Sequence, residues 1–167
     1  MIRALALALC LCLAALPARA HEPMTPERMF EILQAIDPDA QGQGNVMQVT
    51  IEEIPVLIVF DVPADRMRAI TPIRSAEGIS PEEMERMLQA NFDTALDAKY
   101  AIAQGKLWAS YIHPLGPLDK NGLLSGLGQV VNLALTYGST YSSGALSFGG
   151  GDSRGLIQEL LKKGERI

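Results

Sequence analysis

Between Thr25 and Gly138 the apolar residues recur first at helical spacing, then in alternation, then at helical spacing again. In TPERMFEILQAIDP, Met29, Ile32, Leu33 and Ile36 fall three and four apart. Thr25 stands as N-cap, Pro26 takes the first helical position and Pro38 sets the end, which predicts a first helix. The polar DPDAQGQGN that follows reads as a connection. Met47, Val49 and Ile51 then alternate with Gln48, Thr50 and Glu52, the pattern of a half-buried strand. IPVLIVFDV and RMRAITPIR follow after short turns at Glu52–Glu53 and at PAD, so three strands form an antiparallel meander. Pro72 inside the third strand calls for a sheet edge or a bulge, because proline cannot donate to the ladder.

ISPEEMERMLQANF carries the clearest helix signal. Ser80 and Glu83 have capping-box spacing, Pro81 opens the helix, and Met84, Met87, Leu88, Asn91 and Phe92 share a face. Two further strands, Lys99–Ala103 and Lys106–His113, flank the two-residue turn Gln104–Gly105. A third helix runs from Asp119 as cap to Gly138 as stop, presenting Leu123, Leu124, Leu127, Val131 and Leu135. Its interior Gly126 and Gly128 each cost about 1 kcal/mol against alanine, a cost that close packing can offset. STYSSGALSFGGGDSRG is a serine- and glycine-rich linker with room for a short strand at Ala145–Phe148, and a last helix is expected from Asp152 to Lys163. The order α-β-β-β-α-β-β-α predicts an α+β fold with one antiparallel sheet of about five strands.

The N-terminus changes where this domain is expected to work. MIRALALALCLCLAALPARA has a basic start at Arg3, an apolar run and small residues at Ala18 and Ala20, so cleavage after Ala20 is expected, with the product periplasmic or secreted. The expected organisation is a signal peptide over 1–20, an α+β domain over 21–138, and a linker with a short helix over 139–167. Cleavage removes both cysteines of the chain, Cys10 and Cys12, leaving no disulfide or thiol chemistry. It also removes Arg3 and Arg19 and no acidic residue, moving the formal charge from −5 to −7. A balance that acidic disfavours nucleic acid, whose phosphates need a basic face. The longest apolar stretch left, Ile54–Phe60, is too short to cross a bilayer.

The element order, with DRMRAITPI leading into the capped helix and LDAKYAIAQGKLWASYIHPL after it, resembles the YbjN-type family of sensory transduction regulators over about residues 25–138. That resemblance implies the type III secretion chaperone-like fold and a peptide-binding or chaperone-like, homodimeric, non-enzymatic role without a cofactor.

The chain holds few residues suited to catalysis. A mature N-terminal His21 with His113 would supply two imidazoles for copper, but no further ligand pattern accompanies them. In GALSFG, Ser147 stands three residues after Gly144, so the spacing of a nucleophile elbow fails. GGGDSRG lacks the ending of a phosphate loop, and Asp152 or Ser153 reads as an ordinary N-cap. A metal-binding protein or hydrolase using His21, His113 or Ser147 is therefore the alternative to a binding module.

Across the Gln104–Gly105 turn, Ile102 should pair with Leu107 and Tyr100 with Ala109, which puts Tyr100, Ile102, Leu107, Ala109 and Tyr111 on the core face. Trp108, the only tryptophan, falls on the opposite face with Lys99 and Lys106. These three are the expected partner-binding residues, joined by Arg68 if its strand lies next to the hairpin. Met84 and Met87 are the expected dimer face, since methionine adapts to irregular surfaces.

Overall fold

The computed structural model describes residues 22–144 and 154–165. Helix α1 spans Pro26–Ile36; strands β1 to β4 span Gln41–Gln43, Val46–Ile51, Ile54–Asp61 and Arg66–Ser75; α2 spans Pro81–Asp93. Strands β5 (Lys99–Ala103) and β6 (Lys106–His113), then α3 (Lys120–Leu135) and α4 (Arg154–Gly164), complete the order. One antiparallel sheet of six strands runs β1-β2-β3-β4-β6-β5, so the fold is α+β. The strand added to the expected five is β1, a fully exposed Gln-Gly-Gln segment paired with β2, and with no buried side chain it left no alternation to read.

Side-chain chemistry sets the helix ends. Thr25, Ser80 and Asp119 each accept a backbone N–H three residues on, from Arg28, Glu83 and Gly122. The reciprocal half of the capping box is diverted: Glu83 receives the hydroxyl of Tyr137 and lies 4.0 Å from Arg74. Gln104 and Gly105 both have positive φ, the geometry of a tight hairpin turn, and the register pairs Ile102 with Leu107 as expected. Pro72 lies on β4, an interior strand between β3 and β6 and not an edge; the ladder between β4 and β6 shifts between Pro72 and Arg74, so the bulge reading is the correct one.

One face of the sheet carries the core. α3 packs across β3, β4, β5 and β6, and its outer side is covered in turn by α4, which also reaches α1. As a result α3 is buried almost all round: every residue from Leu123 to Leu133 except Ser125 lies inside. Gly126 is required there, since a Cβ at that position would sit 2.4 Å from Cε1 of Tyr111. α4 is tied in by Leu160, which is fully buried, and by the Lys120 ammonium, which donates to the Gly164 carbonyl at 2.8 Å. The possible strand at Ala145–Phe148 and the caps at Asp152 and Ser153 lie outside the described residues. Among the described residues no helix is long and apolar enough to cross a membrane.

Candidate functional site

α2 stands apart from this arrangement. It lies against the open edge of β5, and only Met87 and Ala90 of its residues are buried. Asn91 explains how it is held. Its amide donates to the Tyr100 carbonyl at 3.1 Å, and its oxygen accepts the Tyr100 N–H at 2.7 Å, so one side chain replaces a neighbouring strand at that point of the edge. The Lys99 ammonium donates to the carbonyls of Asn91 at 2.6 Å and Ala95 at 3.0 Å, placing positive charge at the C-terminal end of the helix.

The segment after α3 fastens the other side of α2. Thr94 donates to the Tyr141 carbonyl at 2.6 Å, and the Leu96 N–H donates to the Ser143 hydroxyl at 2.9 Å. Tyr100, Tyr137 and Tyr141 pack ring to ring at 5.7–6.3 Å between centroids, with the Arg86 guanidinium 4.9 Å over Tyr141. Burial raises the Tyr100 hydroxyl well above its ordinary range, and its O–H donates to the Leu133 carbonyl.

Anchored in this way, α2 turns an apolar face outward. Met84, Leu88 and Phe92 recur every four residues along one side, and Leu88 is 68% and Phe92 87% exposed. Across from them stands Ile102 on β5, itself 51% exposed. Between helix and strand runs a groove of about 330 Å³, lined by Met84, Met87, Leu88, Asn91, Tyr100, Ala101, Ile102 and Leu107. The alternation of an antiparallel ladder turns the backbone groups of Tyr100 and Ile102 away from β6. Asn91 takes those of Tyr100, while those of Ile102 open on the groove.

Two expectations need correcting here. Ile102 shares a sheet face with Tyr100 and Leu107 but is not core, because at the edge strand only the groove lies beside it. Met87 is 4% exposed and belongs to the core, so of the two methionines only Met84 reaches the surface. Leu88 and Phe92 carry most of the exposed area; their place on the helix stripe was readable, but the stripe alone does not tell a covered face from a bare one.

The four residues expected around the tryptophan are only partly brought together. The Trp108 indole is half-buried, its N–H donates to the Ala103 carbonyl at 3.0 Å, and the Lys106 ammonium stands 5.9 Å from the ring centroid. Lys99 shares the face by register, but its ammonium is engaged by α2. β4 does pair with β6, so Arg68 lies on the same sheet face as Trp108, but opposite Ile112, four residues from Pro72, the partner of Trp108. The His113 ring stacks on Tyr111, and its Nδ1 lies 2.7 Å from the Pro114 carbonyl. His21 and Ser147 lie outside the described residues. Among the described residues no group of three or more histidine, cysteine, aspartate or glutamate side chains is placed to hold a metal ion.

No family model and no curated protein matches the sequence. Solved structures match the fold. A chain of the HopA1–SchA chaperone–effector complex aligns at a TM-score of 0.52 with 10% identity, over 66% of this chain and 91% of that one. A chain from the complex of the Yersinia pestis type III secretion chaperone SycH with a stable fragment of YscM2 aligns at 0.50 with 14% identity, over 65% and 98%. A chain of the ExsC–ExsE complex aligns at 0.50 with 11% identity, over 64% and 84%. The fold is thus that of type III secretion chaperones.

Proposed function

We propose that this chain is a non-enzymatic, chaperone-like binding module of the YbjN kind, exported by cleavage after Ala20, that meets other polypeptides through the groove between α2 and β5. The observation that carries this reading is the exposed apolar stripe Met84–Leu88–Phe92 facing the exposed Ile102 across that groove. Apolar area concentrated in this way beside an open strand edge favours a polypeptide occupant over a small polar ligand, because a partner strand could pair with Ile102 while its side chains cover the helix. The first occupant proposed is a second copy of the chain, giving a homodimer. The structural neighbours support a partner-binding role by analogy of fold: the SycH and HopA1–SchA structures are complexes of a chaperone with a protein partner.

The open face of the sheet supports a second surface for an extended partner segment. Trp108 and Ile70 are half-buried there, Ile112 is 55% exposed, and Arg68 and Lys106 flank them.

Photo-crosslinking tests the principal reading. A photoreactive side chain in place of Phe92 is expected to capture a second copy or a distinct protein, while the same group in place of Gln34, exposed on α1, captures neither. Equal labelling from both positions would contradict the proposal.

A further inference from the structure

The helices meet the sheet on the side of Val49, Ile58, Ala69 and Ala109, all fully buried. The other side of an antiparallel sheet is ordinarily polar, because it faces water. Here register sets apolar side chains on it in adjoining rows. Val59 pairs with Arg68 and Arg68 with Ile112; in the next row Leu57 pairs with Ile70 and Ile70 with Ser110. Trp108 follows two residues from Ser110 on the same strand. Val59, Leu57, Ile70 and Trp108 are half-buried and Ile112 is 55% exposed, so apart from Ile112 the apolar strip does not protrude.

The charge of this face is opposite to that of the chain. The sequence holds 14 basic and 19 acidic residues, but the open face carries Arg66, Arg68, Lys99 and Lys106 against Asp61. Asp61 lies opposite Arg66, and its Oδ1 accepts the Ala64 N–H at 3.0 Å. The Lys99 ammonium is turned to the carbonyls ending α2. The ion pairs among the described residues lie elsewhere, at Arg28–Glu22, Arg74–Glu83 and Lys163–Glu159. Arg68 and Lys106 therefore stand at the two ends of the strip with no carboxylate paired to them among the described residues. Arg68 lies beside Ile112, and Lys106 comes six residues earlier on β6, which separates the two by about 20 Å at the rise of a strand.

We propose that the open face binds an extended polypeptide segment that is acidic at both ends and apolar between them. A segment in strand conformation has the same rise as β6, and its alternate side chains point to one side. Carboxylates six residues apart then meet Arg68 and Lys106, while the apolar side chains two and four residues along cover Ile70 and Trp108. An anionic membrane is the poorer occupant: the net charge of −5 opposes its approach, and the strip has one protruding side chain to insert. The inference rests on the second surface of the proposed function and is independent of the groove and of the dimer.

The test titrates the protein with capped peptides and with phosphatidylglycerol vesicles. The peptides are Asp-Thr-Leu-Thr-Leu-Thr-Glu, a counterpart with lysine at both ends, and a counterpart with serine in place of leucine. Emission of Trp108, the only tryptophan, and the amide signals of Ile70 and Ile112 are read. The first peptide is expected to shift both signals with a Kd below about 1 mM, at least about tenfold tighter than either counterpart. The double variant Arg68→Glu with Lys106→Glu changes two exposed positions, keeps the fold, and should bind the lysine peptide in preference to the acidic one. Leu88→Glu, in the groove, should leave the affinity unchanged. Binding lost in Leu88→Glu and retained in the double variant would put the peptide in the groove and overturn this inference while the groove reading stands. No shift up to about 10 mM, equal affinity for the lysine peptide, or a response to the vesicles alone also overturns it. Crosslinking from Phe92 is read separately, so either reading can fail without the other.

Discussion

The two longest helices, α2 and α3, are both amphipathic in sequence and have opposite surroundings in the structure. α3 is enclosed by the sheet on one side and α4 on the other, so that even its polar Gln129 and Asn132 are buried and hydrogen-bonded. α2 is fastened at its ends and along one line, by Asn91, Lys99, Thr94 and the tyrosine cluster, and leaves Leu88 and Phe92 in water. The difference separates two uses of apolar side chains: those on α3 hold the fold together, while the outward stripe of α2 contributes little to it. A helix held by polar bonds while its apolar side stays open is suited to meeting another chain.

The largest effect that can sharpen this contrast is expected on α3. Leu127→Ala removes a fully buried side chain and should cost about 3 kcal/mol in denaturant unfolding. Gly126→Ala is next, at about 2 kcal/mol: the gain in helix propensity is outweighed by forcing a methyl group to 2.4 Å from the Tyr111 ring. A neutral or stabilising result would mean that the ring can move aside.

High pH probes the same layer. The folded-state pKa of Tyr111 is raised from 10.0 to about 12, chiefly by burial, so the stability linked to it is fully present below pH 10 and lost as pH rises through 12. Unfolding midpoints should therefore be flat from neutral pH to about 10 and fall beyond, with Tyr111 contributing about 1–2 kcal/mol of a loss to which the buried Tyr100 hydroxyl adds, and Tyr111→Phe should remove the Tyr111 share. On the other helix, Asn91→Ala strips the Tyr100 backbone of both bonds at a site that water reaches in part, and about 1 kcal/mol is expected. Amide exchange at Tyr100 should accelerate in that variant while Leu127 stays protected.

Local signals with a fixed geometry were legible in the sequence. The caps at Thr25, Ser80 and Asp119, the turn at Gln104–Gly105 and the register that follows from it all depend on residues a few positions apart. What covers a face depends on distant segments and was not legible. Alternation put Ile102 with Tyr100 and Leu107 but could not show that the cover stops short of the strand edge. Helical spacing put Met87 with Met84 but could not tell that one meets the sheet and the other solvent. β1 had no apolar residue to announce it, and its pairing rests on backbone bonds alone. The engagement of Lys99 by α2 required the fold to be known.

The most direct test of the account is the molar mass of the protein in solution, measured by light scattering on a sizing column, with and without Leu88→Glu. The account predicts a dimer at tens of micromolar, about 10–100 μM, that becomes a monomer in the variant. Because Leu88 is 68% exposed, the stability of the monomeric fold should change by less than about 0.5 kcal/mol. A wild-type protein that stays monomeric at that concentration, or a Leu88→Glu variant that remains dimeric, would contradict the assignment of the α2 and β5 groove as the surface where the chain meets its second copy.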